Sequence, residues 1–398
     1  MTKLIKITGK ALTGEWGSEA EGCDGIPVLR TTNFTNGGEV NYKNVVYRKI
    51  KKKNIQNKFL IHGDIIIEKS GGSDKQPVGR VIFFEGEENK YIFNNFTGLL
   101  RIKNQKFWYP KYVFYSLYFN YLNGGTRPYE NKTTGLHNLK IDSFLNECEI
   151  IPVSYIKQKE ICDKLDSLKR IVAIKENQLL YMDDLIKSRF VEMFGNPEIN
   201  NQSMPTISMK NVCEVIDGDR GKQYPKQNEL TENGYCLFLN AKNVTSNGFC
   251  FSDCVFVSKQ KDELLRTGHL ERGDIVLTTR GTIGNLAYYD NNIPYDNMRI
   301  NSGMVILRMN HDIISERYFI EQFKMMLPTI KQKIASGSAQ PQLPISTMGK
   351  INLLLPTLEL QYRYSDYVVQ IDKSKIAVQK SLDETQKLFD SLMQQYFG

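Results

Sequence analysis

Residues 161–193 read ICDKLDSLKRIVAIKENQLLYMDDLIKSRFVEM. Stepping alternately by four and three from Ile161 meets Leu165, Leu168, Val172, Lys175, Leu179, Met182, Ile186, Arg189 and Met193, and eight of these ten positions are apolar. No glycine or proline interrupts the run, and Gly195 followed by Pro197 ends it. A four-three stripe of this length predicts a helix with a narrow coiled-coil seam, and glycine then proline is a helix stop.

The stripe is written twice. Tyr364, Val368, Ile371, Lys375, Val378, Leu382, Thr385, Phe389, Leu392 and Tyr396 stand 203 residues further on, and eight of the ten are again apolar or aromatic. A helix of about 35 residues is about 50 Å long, and one narrow stripe cannot bury itself. Two such helices in one chain predict an antiparallel pair, its interface formed by Ile161, Leu165, Leu168, Val172, Leu179, Met182 and Ile186 against Val368, Ile371, Val378, Leu382, Phe389 and Leu392. That pairing predicts a dumbbell, with a globular part at each end of a rod.

Outward from the helices the duplication continues. At an offset of 210, His62-Gly63-Asp64-Ile65-Ile66-Ile67 falls on Arg272-Gly273-Asp274-Ile275-Val276-Leu277, and Leu29 and Asn33 fall on Leu239 and Asn243. At 204, Leu139 and Pro152 meet Leu343 and Pro356, and at 203 Gln158 meets Gln361 and Phe194-Gly195 meets Phe397-Gly398. The matches are collinear, which chance does not produce, and a repeat on this scale governs the reading of the whole fold. Each globular part mixes short strand-like runs such as Ile65-Ile66-Ile67 with helix-like runs at 111–122 and 316–334, so the class is α+β. The expected divisions are a globular part at 1–152, a helix at 153–196, a second globular part at 197–356 and a second helix at 357–398.

The chain has 398 residues, 41% hydrophobic, with a formal net charge of +8, carried as +7 in residues 1–200 and +1 in the rest. That composition supports packed cores and excludes a wholly disordered chain. No run of about 18 apolar residues is present, so a membrane span is not expected. The start, MTKLIKITGKALTGEW, lacks an apolar signal core, and the seven cysteines contain no CxxC, which together point to a reduced, cytoplasmic protein. Cys250 and Cys254 have no histidine at zinc-like spacing, so no metal is expected there. Arg48, Lys49, Lys51, Lys52 and Lys53 form the densest basic cluster, either a solvated loop or a phosphate-facing patch.

Catalytic constellations are missing. There is no GxxxxGK[ST] or GxGxxG phosphate loop, no GxSxG elbow, no HExxH pair, and no Pro-Pro of the kind an adenine methyltransferase uses to grip its target amine. His62 is matched by Arg272 in the repeat, which argues for a turn residue. Polar, glycine-containing loops recur instead at equivalent places in both halves. The first carries Arg30, Thr32 and Asn33, matched by Asn240, Lys242 and Asn243. The second carries Lys69 and Ser70, matched by Thr279 and Arg280. The third carries Arg127, Lys132 and Thr133, matched by Ser338, Gln340 and Gln342. Arg, Lys, Asn and Gln suit base edges, and hydroxyls suit phosphates. One scaffold with two sets of tips predicts two readers of different nucleic-acid sequences, with these residues as the candidate DNA contacts.

Several motifs then resemble the specificity subunit of type I restriction–modification enzymes over nearly the whole length. Leu354-Leu355-Pro356-Thr357-Leu358-Glu359-Leu360-Gln361 is similar to that family's start of a spacer helix, Ile151-Pro152 with Gln158 is a variant of it, and Phe194-Gly195, Phe397-Gly398 and Gly337-Ser338-Ala339-Gln340-Pro341-Gln342-Leu343 add to the likeness. The resemblance implies two target-recognition domains, each reading half of a split, asymmetric site in double-stranded DNA. It implies paired helices that measure the gap between the halves. It also implies docking of two modification subunits, which bring S-adenosylmethionine, and two restriction subunits, which bring ATP and Mg, while this chain itself holds no cofactor and catalyses nothing. Against this stand a self-contained DNA methyltransferase or nuclease with an unrecognised site, and a non-catalytic protein scaffold.

Overall fold

The computed structural model describes residues 1–22, 24–51, 55–133, 136–335 and 342–398. They form two compact units, Met1–Glu176 with Lys380–Gly398, and Asn177–Gln379. Each unit therefore owns one globular part and half of each long helix, Tyr155–Phe194 and Leu358–Phe397.

The first unit is built on a four-stranded antiparallel sheet in the order Leu12–Thr13, Thr97–Leu100, Ile65–Glu68, Val81–Phe83. Ile65, Ile66 and Ile67 form a continuous apolar run because both faces of this sheet are covered, so all three are fully buried. Alternate residues feed two cores: Ile65 and Ile67 pack with Tyr112, Val113 and Leu117 of the helix Pro110–Leu122, while Ile66 packs with Leu29, Phe84 and Phe93. A second sheet runs Ser18–Glu19, Val46–Lys49, Ile26–Leu29, Ile92–Phe93, its last pair parallel. Thr2–Lys3 pairs with Glu149–Ile150 just before the long helix begins.

The second unit repeats the plan. Its four-stranded antiparallel sheet is ordered Cys213–Asp217, Met304–Met309, Ile275–Thr278, Leu286–Tyr288. Its second sheet places Cys236–Leu239 between Phe256–Val257 and, in parallel, Met298–Ile300. Thr206–Ser208 pairs with Asn352–Leu354 before the second long helix. The mixture of antiparallel sheets, single parallel pairs and packed helices is an α+β arrangement, as expected.

Buried polar clusters recur in both units. Asp64 accepts from the Ile61 amide at 2.9 Å and binds Arg101 through both oxygens at 2.8 and 2.6 Å. Asp274 likewise accepts from the Glu271 amide at 2.7 Å and binds Arg308 at 3.0 and 2.9 Å. Gly63 and Gly273 precede these carboxylates with φ of 91° and 98°, a conformation that selects glycine. Another cluster sits where the helices begin. Gln158 is fully buried; its Oε1 accepts from the Tyr109 amide and its Nε2 donates to the carbonyls of Phe107 and Val153. Gln361 does the same with the Ser315 amide and the carbonyls of Ile313 and Pro356.

The long helices pack against each other within each unit. In the first, Ile161 and Leu165 share a core with Phe389 and Met393, with Leu168 and Leu392 against it, and Lys175 Nζ donates to Ser381 Oγ at 2.8 Å. In the second, Ile186 shares a core with Tyr364 and Val368, Ile371 lies against it, Tyr364 donates its hydroxyl to the Ile186 carbonyl at 3.1 Å, and Lys375 binds Asp183 at 2.5 Å. The early part of one helix thus meets the late part of the other, an antiparallel pairing. Val172, Leu179, Met182, Val378 and Leu382 are half-buried between exposed neighbours. At the ends the stripe drifts off the seven-residue pattern: Phe190, Phe194 and Met393 are buried, while Arg189 and Leu392 are only half so. A straight helix turns every 3.6 residues rather than 3.5, and here the turn is used to aim aromatic side chains into the globular cores.

Gln361→Leu fills the same space but strands one amide and two carbonyls. We expect a loss of about 2–4 kcal/mol, read as a lowered urea midpoint, whereas the exposed Gln370→Leu stays within about 0.5 kcal/mol of the wild type.

Candidate nucleic-acid interface

The first loop is a turn held from inside. In the first unit the Arg30 amide donates to Asn33 Oδ1 at 3.0 Å, and Asn33 Nδ2 donates to the carbonyls of Asn41 and Lys43. In the second, the Asn240 amide donates to Asn243 Oδ1 at 2.9 Å, and Asn243 Nδ2 donates to those of Cys250 and Asp253. Asn33 and Asn243 are 1% and 0% exposed. This corrects the expectation that they contact DNA: their amides are spent on the backbone and have no face to offer. Thr279 is corrected for the same reason, being buried with its hydroxyl on the Gly303 carbonyl at 3.0 Å. The outward residues of this loop are Thr32 and Lys242, with Arg30 and Asn240 half-buried. Arg30 donates to the Asn44 carbonyl at 3.0 Å, and Lys242 pairs with Asp253 at 2.6 Å.

The second and third loops meet. In the first unit the Leu139 amide donates to the Lys69 carbonyl at 2.8 Å and Ser70 stands opposite Asn138. In the second, the Leu343 amide donates to the Thr279 carbonyl at 3.0 Å and Arg280 stands opposite Gln342. The junction is the same in both units, and its residues differ. Lys69 is half-buried and donates to Thr13 at 3.4 Å; burial and the neighbouring charge of Lys58 push its pKa down. Arg127 is exposed, and Lys132 pairs with Asp74 at 2.6 Å. The Thr133 backbone pairs with Leu136, but its side chain lies outside the described residues, as do Ser338, Gln340, Lys52 and Lys53.

Side chains that sequence reasoning missed tie the first loop to the second. Arg80 donates to the carbonyls of Thr31 and Phe34 and to the buried Glu68, whose pKa burial pushes up while Arg80 opposes the shift. In the second unit Asn285 donates to the Val244 carbonyl at 2.9 Å, and Lys242, Thr245, Gly281, Thr282 and Lys331 border a groove of about 680 Å³. A lone arginine before a strand, or a lysine on a helix flank, carries no motif that would have marked it.

Among the described residues, one group has metal-ligand potential: Cys236, Asp262 and His269, with ligand atoms within 4.8 Å of one another. Asp262 is already paired with the buried guanidinium of Arg299, which also donates to the carbonyls of Thr267, Asp262 and Leu265. A fixed cation on the ligand carboxylate opposes a second one, and burial pushes the Cys236 thiol up. The group reads as a buried ion pair. No helix among the described residues is long and apolar enough to cross a membrane.

Two units of one plan, each offering a polar loop junction and sharing a helical pair, define a duplicated recognition module rather than a single-site enzyme. The family model described as the type I restriction modification DNA specificity domain matches twice, at residues 6–180 and 201–386. The chain belongs to this family, that of the DNA-specificity subunit, which is non-catalytic. The crystal structure of the type I restriction-modification system S subunit from M. genitalium is similar, with 17% identity and a TM-score of 0.58 over 100% of this chain and 95% of that one. A structure from work on complex assembly and conformational transition of the type I R-M system gives 15% identity and 0.57 over 100% and 96%. At these identities the likeness is one of fold. No curated protein matches in sequence.

Asn243→Ala strands three buried backbone groups. We expect a loss of about 2–3 kcal/mol in chemical denaturation, against about zero for Lys242→Ala, whose ion pair is exposed. Equal losses at the two positions would reverse the assignment of Asn243 to the scaffold.

Proposed function

We propose that this chain reads a bipartite, asymmetric site in double-stranded DNA, one half with each unit, and docks two modification and two restriction subunits in the cytoplasm. The observation that carries the reading is the loop junction built twice, Leu139 on Lys69 and Leu343 on Thr279, with different residues turned outward. The contacts fall to Arg30, Thr32, Lys69, Ser70, Arg127, Lys132 and Thr133 in the first unit. In the second they fall to Asn240, Lys242, Arg280, Ser338, Gln340 and Gln342. Basic and amide side chains in loops suit base edges, and the positive balance of residues 1–200 suits phosphate. Docking is supported by large apolar side chains left exposed on the helices: Ile171 and Ile174 in the first unit, and Leu180, Tyr181, Leu185 and Ile376 in the second. S-adenosylmethionine, ATP and Mg belong to the docked subunits.

The helical pair sets the gap between the two half-sites. Adding one heptad to each long helix lengthens it by about 10 Å, roughly three base pairs of duplex. We expect the mapped methylation site to keep both half-sequences and gain about that many base pairs between them. An unchanged gap refutes the measuring role, and a changed half-sequence refutes independent reading.

A further inference from the structure

The loop junction of the second unit presents a cation that the fold does not use. Arg220, Arg266, Arg272, Arg299, Arg308 and Arg317 each hold a carboxylate. Arg280 is the remaining arginine of that unit's globular part, and among the described residues its guanidinium has no hydrogen-bond or ion-pair partner. Its backbone is fixed: its amide donates to the Gly303 carbonyl at 3.3 Å, and it bridges Gln342 across the junction. Gln342 is also exposed, and among the described residues its side-chain amide is unbonded. A rigid backbone under two free, planar hydrogen-bonding groups is the arrangement that base recognition needs, because little ordering remains to be done on contact.

The chemistry of the two groups is selective. A guanidinium matches guanine O6 and N7 with two donors, and a carboxamide matches adenine N6 and N7 with one donor and one acceptor. Residues opposed across an antiparallel bridge have Cβ atoms about 4.5–5.5 Å apart. Neighbouring bases on a strand are about 3.4 Å apart, so the long side chains reach adjacent positions. We propose that Arg280 and Gln342 are specificity-determining residues of the second unit, Arg280 selecting a guanine and Gln342 an adenine beside it. The equivalent pair in the first unit is Ser70 and Asn138, opposed in the same way but too short and too differently charged to select the same bases. This rests on the DNA-reading role proposed above and assigns its chemistry in one half-site.

The test uses the full chain co-expressed with the modification subunits of its system, with methylated sites mapped on a randomised DNA library. Both side chains are exposed and, among the described residues, unbonded, so R280A, R280Q and Q342A are expected to melt with the wild type. R280A should relax one base pair of one half-site, lowering discrimination there about 10- to 100-fold, and R280Q should move that position toward adenine. Q342A should relax the neighbouring base pair. The other half-site and the gap stay as they were. If R280A leaves the selected sequence intact while weakening binding evenly and flattening its salt dependence, Arg280 holds a phosphate and the assignment is overturned. Relaxation in both half-sites overturns it equally. A wild-type complex that selects no sequence at all overturns the DNA-reading role itself, and this assignment with it.

Discussion

An apolar stripe one or two residues wide on a forty-residue helix has to be covered, and in this protein almost everything is arranged around covering it. Each fully buried Leu or Phe contributes about 1.5–3 kcal/mol, but a helix exposed on its other faces offers such positions only along one line. Ile161, Leu165 and Phe389 in one unit, and Ile186, Tyr364 and Val368 in the other, lie on that line. They also belong to the globular cores, so the residues that pair the helices are part of the packing of each unit. The buried amides of Gln158 and Gln361 make the junction directional, because each satisfies backbone groups of both the helix start and the preceding loop.

The polar clusters divide by burial into what is kept and what is varied. Asp64 with Arg101 and Asp274 with Arg308 are the same device, each an anion with two guanidinium bonds and one amide bond. Asn33 and Asn243 repeat as closely. Where the chain turns outward the correspondence stops: Ser70 stands for Arg280, and Asn138 for Gln342. A buried polar group is held by the cost of leaving its partner unbonded, whereas an exposed one is constrained only by what it meets outside.

That division also explains which parts of the molecule were legible in the sequence. The duplication and the α+β class were readable because buried residues such as Ile65–Ile67 and Ile275–Leu277 repeat in type and spacing. The helical stripe was readable over its middle, where the seven-residue rule applies. It also holds at the helix starts, at Ile161, Leu165, Tyr364 and Val368, and in the late turns Phe190, Phe194 and Met393 are buried off that pattern. Glycine and polar clusters mark chain reversals, yet they do not separate a loop from a short strand: Ser70 and Lys132 lie in strands. Within these clusters, repetition in the same register does not by itself mark an exposed side chain: Asn33 and Asn243 repeat and are buried against the backbone. Arg80, Asn285 and Lys331 carry no local signal, because their roles arise from chain segments brought together only by folding.

The short strand pairs at the base of each globular part have a consequence for inheritance. Thr2–Lys3 lies beside Glu149–Ile150, and Thr206–Ser208 beside Asn352–Leu354, so in each globular part the first and last strands meet at one doorway beside the start of a long helix. A recombination event with breakpoints at that doorway exchanges a whole lobe, and the incoming lobe has to pack on the same helix residues, Ile161 and Leu165 in the first unit or Ile186 and Tyr364 in the second. Combinations that keep those contacts are then reachable in a single genetic step.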